Sequence, residues 1–156
     1  MEFVPIRPEH DAAMAKLVRD NLKAAGLDIP GTAYFDEGLD RLSGCYESPG
    51  RAYYVLMDGG RVIGGVGFAE FDGDPGCCEM QKLYLDDAYK GRGIGHRMVG
   101  FIEQKAREAG YRRIYLETHT NLKAAIRLYE KSGYRAVERP ASVIHSTMDR
   151  FYLREL

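Results

Sequence analysis

Tyr89-Lys90-Gly91-Arg92-Gly93-Ile94-Gly95-His96 lies between a strand-like run ending at Leu85 and a helical pattern that reaches residue 109. Three glycines at alternate positions remove Cβ atoms from a strand-to-helix turn, so a ligand can approach the backbone and the chain can take φ > 0. The first N–H groups of a helix have no acceptor within it, and the macrodipole makes that end attractive to anions. The stretch reads as a phosphate cradle, with Lys90 and Arg92 adding charge. A P-loop would need Gly-Lys-Ser or Gly-Lys-Thr, which the sequence lacks. The dinucleotide fingerprint G-x-G-x-x-G would need glycine where His96 stands, although Glu117 could serve as its ribose-binding acid. A glycine-rich turn that binds nothing is the remaining alternative.

Working outward, residues 77–85 form the strand that delivers the chain to the cradle. Before it, residues 52–57 and 61–71 make a hairpin through Asp58-Gly59-Gly60, a turn that demands φ > 0. Gly64, Gly65 and Gly67 leave the second of these strands thinly covered, which reads as a distorted sheet position or as room for something beside it. A loop is expected over 72–76. The N-terminal part supplies an edge strand over 2–7 containing Pro5, then a helix over 9–25 with Ala13, Leu17 and Ala24 inward and Gly26 as its stop. Residues 27–50 are weakly patterned; Tyr34, Leu39 and Leu42 suggest one more helix.

Beyond the cradle, Ile94, Met98, Ile102, Ala106 and Ala109 share a helical face ended by Gly110. Residues 113–118 alternate as a strand, and a crossover through the helix makes it parallel to 77–85. Asn121 can cap a helix in which Ala124, Ala125, Leu128 and Tyr129 face inward before Ser132-Gly133. Strands over 134–137 and 147–153 close the pattern.

The 156 residues suit a single domain spanning 1–156 with a substantial core, and 45% hydrophobic with 29% charged residues is an ordinary globular balance. A net charge of -1 gives no electrostatic case for nucleic acid or an anionic membrane, although 90–97 is locally basic. Three cysteines, with Cys77 and Cys78 adjacent, supply neither a disulfide framework nor a spaced metal site, so no metal and a reducing cytoplasmic location are expected. The N-terminus lacks a hydrophobic signal core, and apolar runs such as 53–57 are too short to span a bilayer.

At Lys90-Gly91-Arg92-Gly93-Ile94-Gly95 the sequence resembles the GNAT family of N-acetyltransferases, whose pyrophosphate signature is [Arg/Gln]-x-x-Gly-x-[Gly/Ala]. Lys90 departs from it, keeping the charge but losing the planar fork. Asn121 through Tyr134 resembles the family's second signature, N-x-x-A-x-x-L-Y-x-x-x-G-[FY]. The two motifs and the Leu83-Tyr84-Leu85 strand end cover roughly residues 52–137; residues 1–50 match in outline.

The resemblance implies an α/β fold with a mostly antiparallel sheet, one splayed parallel strand pair and flanking helices. It implies acetyl-CoA as cosubstrate, with the pantetheine arm on the backbone of Leu83, Tyr84 and Leu85. The pyrophosphate would lie on Lys90, Gly91, Arg92, Gly93, Ile94, Gly95 and His96, and Asn121 would reach the arm from the far side. Tyr129 would protonate the leaving thiolate, unless it is simply an aromatic core residue. Glu79 is the candidate base; a cross-strand ion pair is its plain alternative. Strand alternation places Glu79 with Gln81 and Leu83 on one face. His119 is a rival base, and some members of the family need none. The expected activity is transfer of an acetyl group to a primary amine of a small molecule or peptide in a ternary complex. A non-catalytic acyl-CoA-binding sensor or structural module is the alternative. Acceptor specificity is expected from 27–50 and from 138–146, with Arg139 and His145. The fold leaves room for a homodimer.

Overall fold

The computed structural model describes residues 1–144 and 146–156; His145, one of the expected specificity residues, lies outside them. Among the described residues, seven strands form one sheet in the order β1-β2-β3-β4-β5-β7-β6. They are β1 (Glu2–Pro5), β2 (Ala52–Asp58), β3 (Arg61–Phe71), β4 (Asp74–Leu85), β5 (Arg113–Thr118), β6 (Arg135–Val137) and β7 (Arg150–Glu155). Every neighbouring pair is antiparallel except β4 and β5, the pair joined through the crossover helix. Helices α1 (Asp11–Ala24), α2 (Ile94–Glu108) and α3 (Lys123–Lys131) cover the sheet.

On one face α2 buries Ile94, Met98, Ile102 and Ala106 against Leu56, Ile63, Cys78 and Met80, with Tyr129 of α3 in the same cluster. Ala109, expected on that face, is exposed. The opposite face is covered by α1 through Met14, Leu17, Val18 and Leu22. Ala13 and Ala24, two of the three positions expected inward, are exposed; the long apolar side chains claim the sheet because they bury more area.

Four further expectations are corrected. The helix expected within 27–50 is instead two 3-10 segments, Ala33–Phe35 and Leu39–Tyr46, the second broken at Arg41 (φ -133, ψ 42). Ala124 is exposed. Asn121 does not cap α3, whose N-cap is Leu122; its side-chain amide instead donates to the Ala25 carbonyl at 3.0 Å. The loop expected over 72–76 shrinks to an Asp72-Gly73 turn with Gly73 at φ 82, and β4 starts at Asp74. Asp-Gly favours a two-residue hairpin, and a register irregularity between Glu70 and Phe71 accommodates Pro75.

Strand β7 begins three residues later than expected because the preceding segment is held elsewhere. Met148 N donates to Ser146 Oγ at 3.1 Å, and the Asp149 carboxylate accepts from Thr120 N at 2.9 Å and Thr120 Oγ1 at 2.7 Å. No described helix is long and apolar enough to cross a membrane.

Candidate active site

The site is a fork in the sheet. Strands β4 and β5 pair only from Cys77 with Arg113 to Glu79 with Tyr115, after which they separate, although β4 runs on to Leu85 and β5 to Thr118. The separation starts beside a bulge at Lys82, whose φ of 50 is the one left-handed non-glycine conformation among the described residues. Across β3 the register slips at the same level, with Gly65 opposite Tyr84 but Gly67 opposite Gln81. An extra residue there bends the strand and reverses which way its side chains point. Cys78, Met80, Leu83 and Leu85 consequently all contact the α2-side cluster, while Tyr84 packs on the α1 side. Glu79 therefore shares its face with Tyr84 and not with Leu83, correcting the simple alternation.

Tyr53 secures the bulge: its hydroxyl donates to the Lys82 carbonyl at 2.6 Å. The ring reaches across β3, where a Cβ on Gly65 would lie 2.7 Å from the Tyr53 hydroxyl and one on Gly67 would lie 2.5 Å from the ring. These two glycines make room for an internal aromatic ring rather than for a ligand.

The fork opens into a cleft of about 570 Å³. Leu83, Tyr84 and Leu85 line one wall, Leu116, Glu117 and Thr118 the other, with Tyr129 and Asn121 from the α3 side and Gly91, Gly93, Gly95 and His96 at one end. Gly91 and Gly93 both have φ 77, and Gly93 is the N-cap of α2 with no side-chain cap. The first helical bond runs from Arg97 N to the Gly93 carbonyl at 3.2 Å, so the N–H groups of Ile94, Gly95 and His96 have no acceptor among the described residues. Gly95 packs α2 closely on α3, since a Cβ there would lie 3.1 Å from Leu128. This end suits a dianionic pyrophosphate: open N–H groups, a positive helix end and no side chain in the way.

The flanking cations are already engaged. Lys90 Nζ pairs with Asp87 at 2.6 Å and donates to Asn21 Oδ1 at 2.8 Å. Arg92 donates to the Ala88 carbonyl at 3.0 Å and lies 5.3 Å from the Tyr89 ring centroid. Asn21, which no sequence signal marked, also donates to the Leu85 carbonyl at 3.3 Å and so joins α1, the strand end and the cradle.

Tyr129 is 6% exposed and its hydroxyl makes no hydrogen bond to a described residue. Burial pushes its phenol well above the ordinary value, so it remains protonated throughout the neutral range. Glu79 does not line the cleft with it. It stands at the last paired residue before the fork, forms no ion pair among the described residues, and accepts from Gln81 Nε2 at 2.7 Å. Burial raises its carboxyl above the usual range; Gln81 opposes this, the charge of Glu117 adds to it, and Lys82 opposes it. Glu117, considered from sequence only as a ribose-binding acid, is the carboxylate in the cleft wall. It accepts from Tyr115 Oη at 3.0 Å and Ser146 Oγ at 2.8 Å. A polar residue two positions beyond Tyr115 on a largely buried strand was the available signal. His119 does not line the cleft: its Nδ1 accepts from Asn121 N at 3.0 Å, and its Nε2 lies 3.8 Å from Asp149. Arg139 stacks over the Phe151 ring at 4.8 Å.

A sequence profile described as the Acetyltransferase (GNAT) family matches residues 15–134, which span the fork, the cradle and Tyr129. The chain belongs to the GNAT family. This GNAT protein is 36% identical over 132 residues to the uncharacterized N-acetyltransferase YjgM of Escherichia coli (strain K12), covering 83% of this chain and 79% of that one. It is 30% identical over 130 residues to the spermine/spermidine N(1)-acetyltransferase of Bacillus subtilis (strain 168), covering 77% and 86%. Its fold matches that of an acetyltransferase from Salmonella typhimurium solved with its cofactor acetyl-CoA, with a TM-score of 0.76, 19% identity and coverage of 99% and 93%. The GNAT chain is an acetyl-CoA-dependent N-acyltransferase.

Proposed function

We propose that the protein transfers an acetyl group from acetyl-CoA to a primary amine by direct attack within the β4–β5 fork. The observation that carries this reading is the cleft itself, which combines the cradle at one end, the strand edge at Leu83–Leu85 left unpaired by β5, and the protonated Tyr129 hydroxyl. The pyrophosphate sits on the N–H groups of Gly91 through His96, and the pantetheine arm extends along Leu83, Tyr84 and Leu85. Asn121 contacts the arm from the α3 side. The residues fit acetyl-CoA because the open backbone donors occur where the helix dipole favours anions, while the strand edge suits an extended amide chain.

An amine must reach the thioester without its extra proton. The carboxylates of Glu117, in the cleft wall, and Glu79, one strand away, take that proton; the raised carboxyl of Glu79 makes it a better acceptor than an ordinary glutamate. The amine nitrogen then bonds to the thioester carbon and loses one further proton to solvent, the carbon–sulfur bond breaks, and Tyr129 gives its proton to the departing thiolate. Solvent restores the phenol. The acceptor is a small-molecule or peptide amine, and spermidine is the first to test because a relative is named for it.

The test is the pH dependence of kcat/KM with an accepted amine. Glu117→Gln and Glu79→Gln should each lower it by about 10²–10⁴, the span for a positioned base, with a deficit that shrinks as pH rises and free amine accumulates. Equal, pH-independent activity in both variants would remove the carboxylates from the reaction.

A further inference from the structure

The face of β4 that carries Glu79 also holds a directed hydrogen-bonded row that the proposed reaction leaves unused. The Tyr46 hydroxyl donates to Gln81 Oε1 at 2.6 Å, and Gln81 Nε2 donates to Glu79 Oε1 at 2.7 Å. An ionised carboxylate only accepts, so turning the amide over would set its oxygen against Glu79 and break the row. Tyr46 is itself fixed, because its 3-10 segment is tied to α1 through Ser43 N and Oγ on the Asp11 carboxylate at 2.8 and 2.7 Å.

Gln81 is the one hydrogen-bond donor on the Glu79 carboxylate among the described residues. The charges that act on it are those of Lys82 on β4, Glu117 on β5 and Asp72 in the β3–β4 turn, and it acts in turn on Tyr46, Tyr115 and the thiols of Cys77 and Cys78. Lys82, the cation in this set, is held by Asp36 at 3.0 Å. Among the described residues neither Glu79 nor Glu117 forms an ion pair, and one neutral amide, that of Gln81, donates to the Glu79 carboxylate.

We propose that Gln81, aligned by Tyr46, is a positioning residue of the acyl transfer: it holds Glu79 in its proton-accepting form and engages Oε1, leaving Oε2 for the proton path shared with Glu117. The inference rests on the reading that the Glu79–Glu117 pair takes the amine proton. Gln81 touches no reacting atom; it acts through Glu79.

The experiment is a carbon-13 NMR titration of the glutamate side-chain carboxyls in the full chain, with the Glu79 signal assigned by its loss in Glu79→Gln. Gln81→Leu should move the Glu79 midpoint upward, and Tyr46→Phe, which keeps the amide but frees its orientation, should move it the same way by less. With spermidine, or whichever amine first supports thiol release, Gln81→Leu should lower kcat/KM roughly tenfold at the acid end, the worth of a hydrogen bond to a charged group, and leave the alkaline plateau near wild type. An unmoved midpoint in both variants overturns the proposal, as does a moved midpoint that the acid limb ignores. If neither Glu79→Gln nor Glu117→Gln alters the acid limb, the carboxylate reading itself fails. A limb that depends on Glu79 but not on Gln81 defeats the present inference alone.

Discussion

Among the described residues, Tyr129 borders the cleft without the hydroxyl partner that its two neighbouring tyrosines have. Its ring packs against Tyr134 at 6.0 Å and Tyr152 at 6.3 Å, and both of those hydroxyls find glutamate partners, Glu103 at 3.0 Å and Glu130 at 3.3 Å. The Tyr129 hydroxyl finds none among the described residues and borders the cleft. Tyr129→Phe keeps the ring and its packing, so CoA affinity and fold should stay near wild type while the single-turnover chemical step slows by about 10²–10⁴. Single-turnover rates are the measurement to compare, because slow product release would mask the loss in kcat. An unchanged rate would return Tyr129 to the core. Glu79 carries the opposite kind of cost. Its carboxyl is raised in the folded state, so the stability it contributes is fully present below the unfolded value and is lost as pH rises through the folded one. Glu79→Gln should therefore melt higher than wild type at pH 7, with the difference shrinking toward pH 4, in thermal scans at both values.

At the scale of elements, the fork depends on one bulge and one helix start. Tyr53 reaches the Lys82 carbonyl only because Gly65 and Gly67 leave β3 bare beneath its ring. A Cβ on Gly67 would also lie 2.6 Å from the Ala52 carbonyl, a backbone atom that cannot turn aside. Gly67→Ala should thus destabilise the fold by about 1–3 kcal/mol, the usual cost of overpacking, and weaken CoA binding by loosening the bulge. At the helix start the mechanism differs, since nothing crowds Gly93 but its φ is 77. Gly93→Val should weaken CoA binding through the strained turn, whereas Lys90→Ala should matter less because the Lys90 ammonium is already held by Asp87 and Asn21. Calorimetric titration with CoA ranks the two, and normal binding by Gly93→Val would move the pyrophosphate elsewhere.

Over the whole molecule, what was legible in the sequence was what local pattern controls. The glycine cradle, the α2 stripe, the β2–β3 hairpin and the parallel β4–β5 pair follow from turn chemistry, periodicity and crossover handedness. The bulge at Lys82 left no local mark: it is set by Tyr53 from a strand two places away, and it reverses the face on which Leu83 lies. Asn121 reads as a cap in one dimension and joins α1 to α3 in three. Glu117 was hidden because its place in the cleft wall, across the fork from Leu83, is created only by the parallel pairing.

If the cleft performs acyl transfer, it must do more than hold CoA. The most direct test is thiol release from acetyl-CoA across a panel of spermidine, small amines, aminoglycosides and peptides with free amino termini, with the acetylated amine identified by mass. CoA and acetyl-CoA should raise Tm with concentration, and at least one amine should drive thiol release, which Tyr129→Phe slows. Stabilisation by CoA with no amine-dependent release anywhere in the panel would contradict acyl transfer and mark the protein as a binding module.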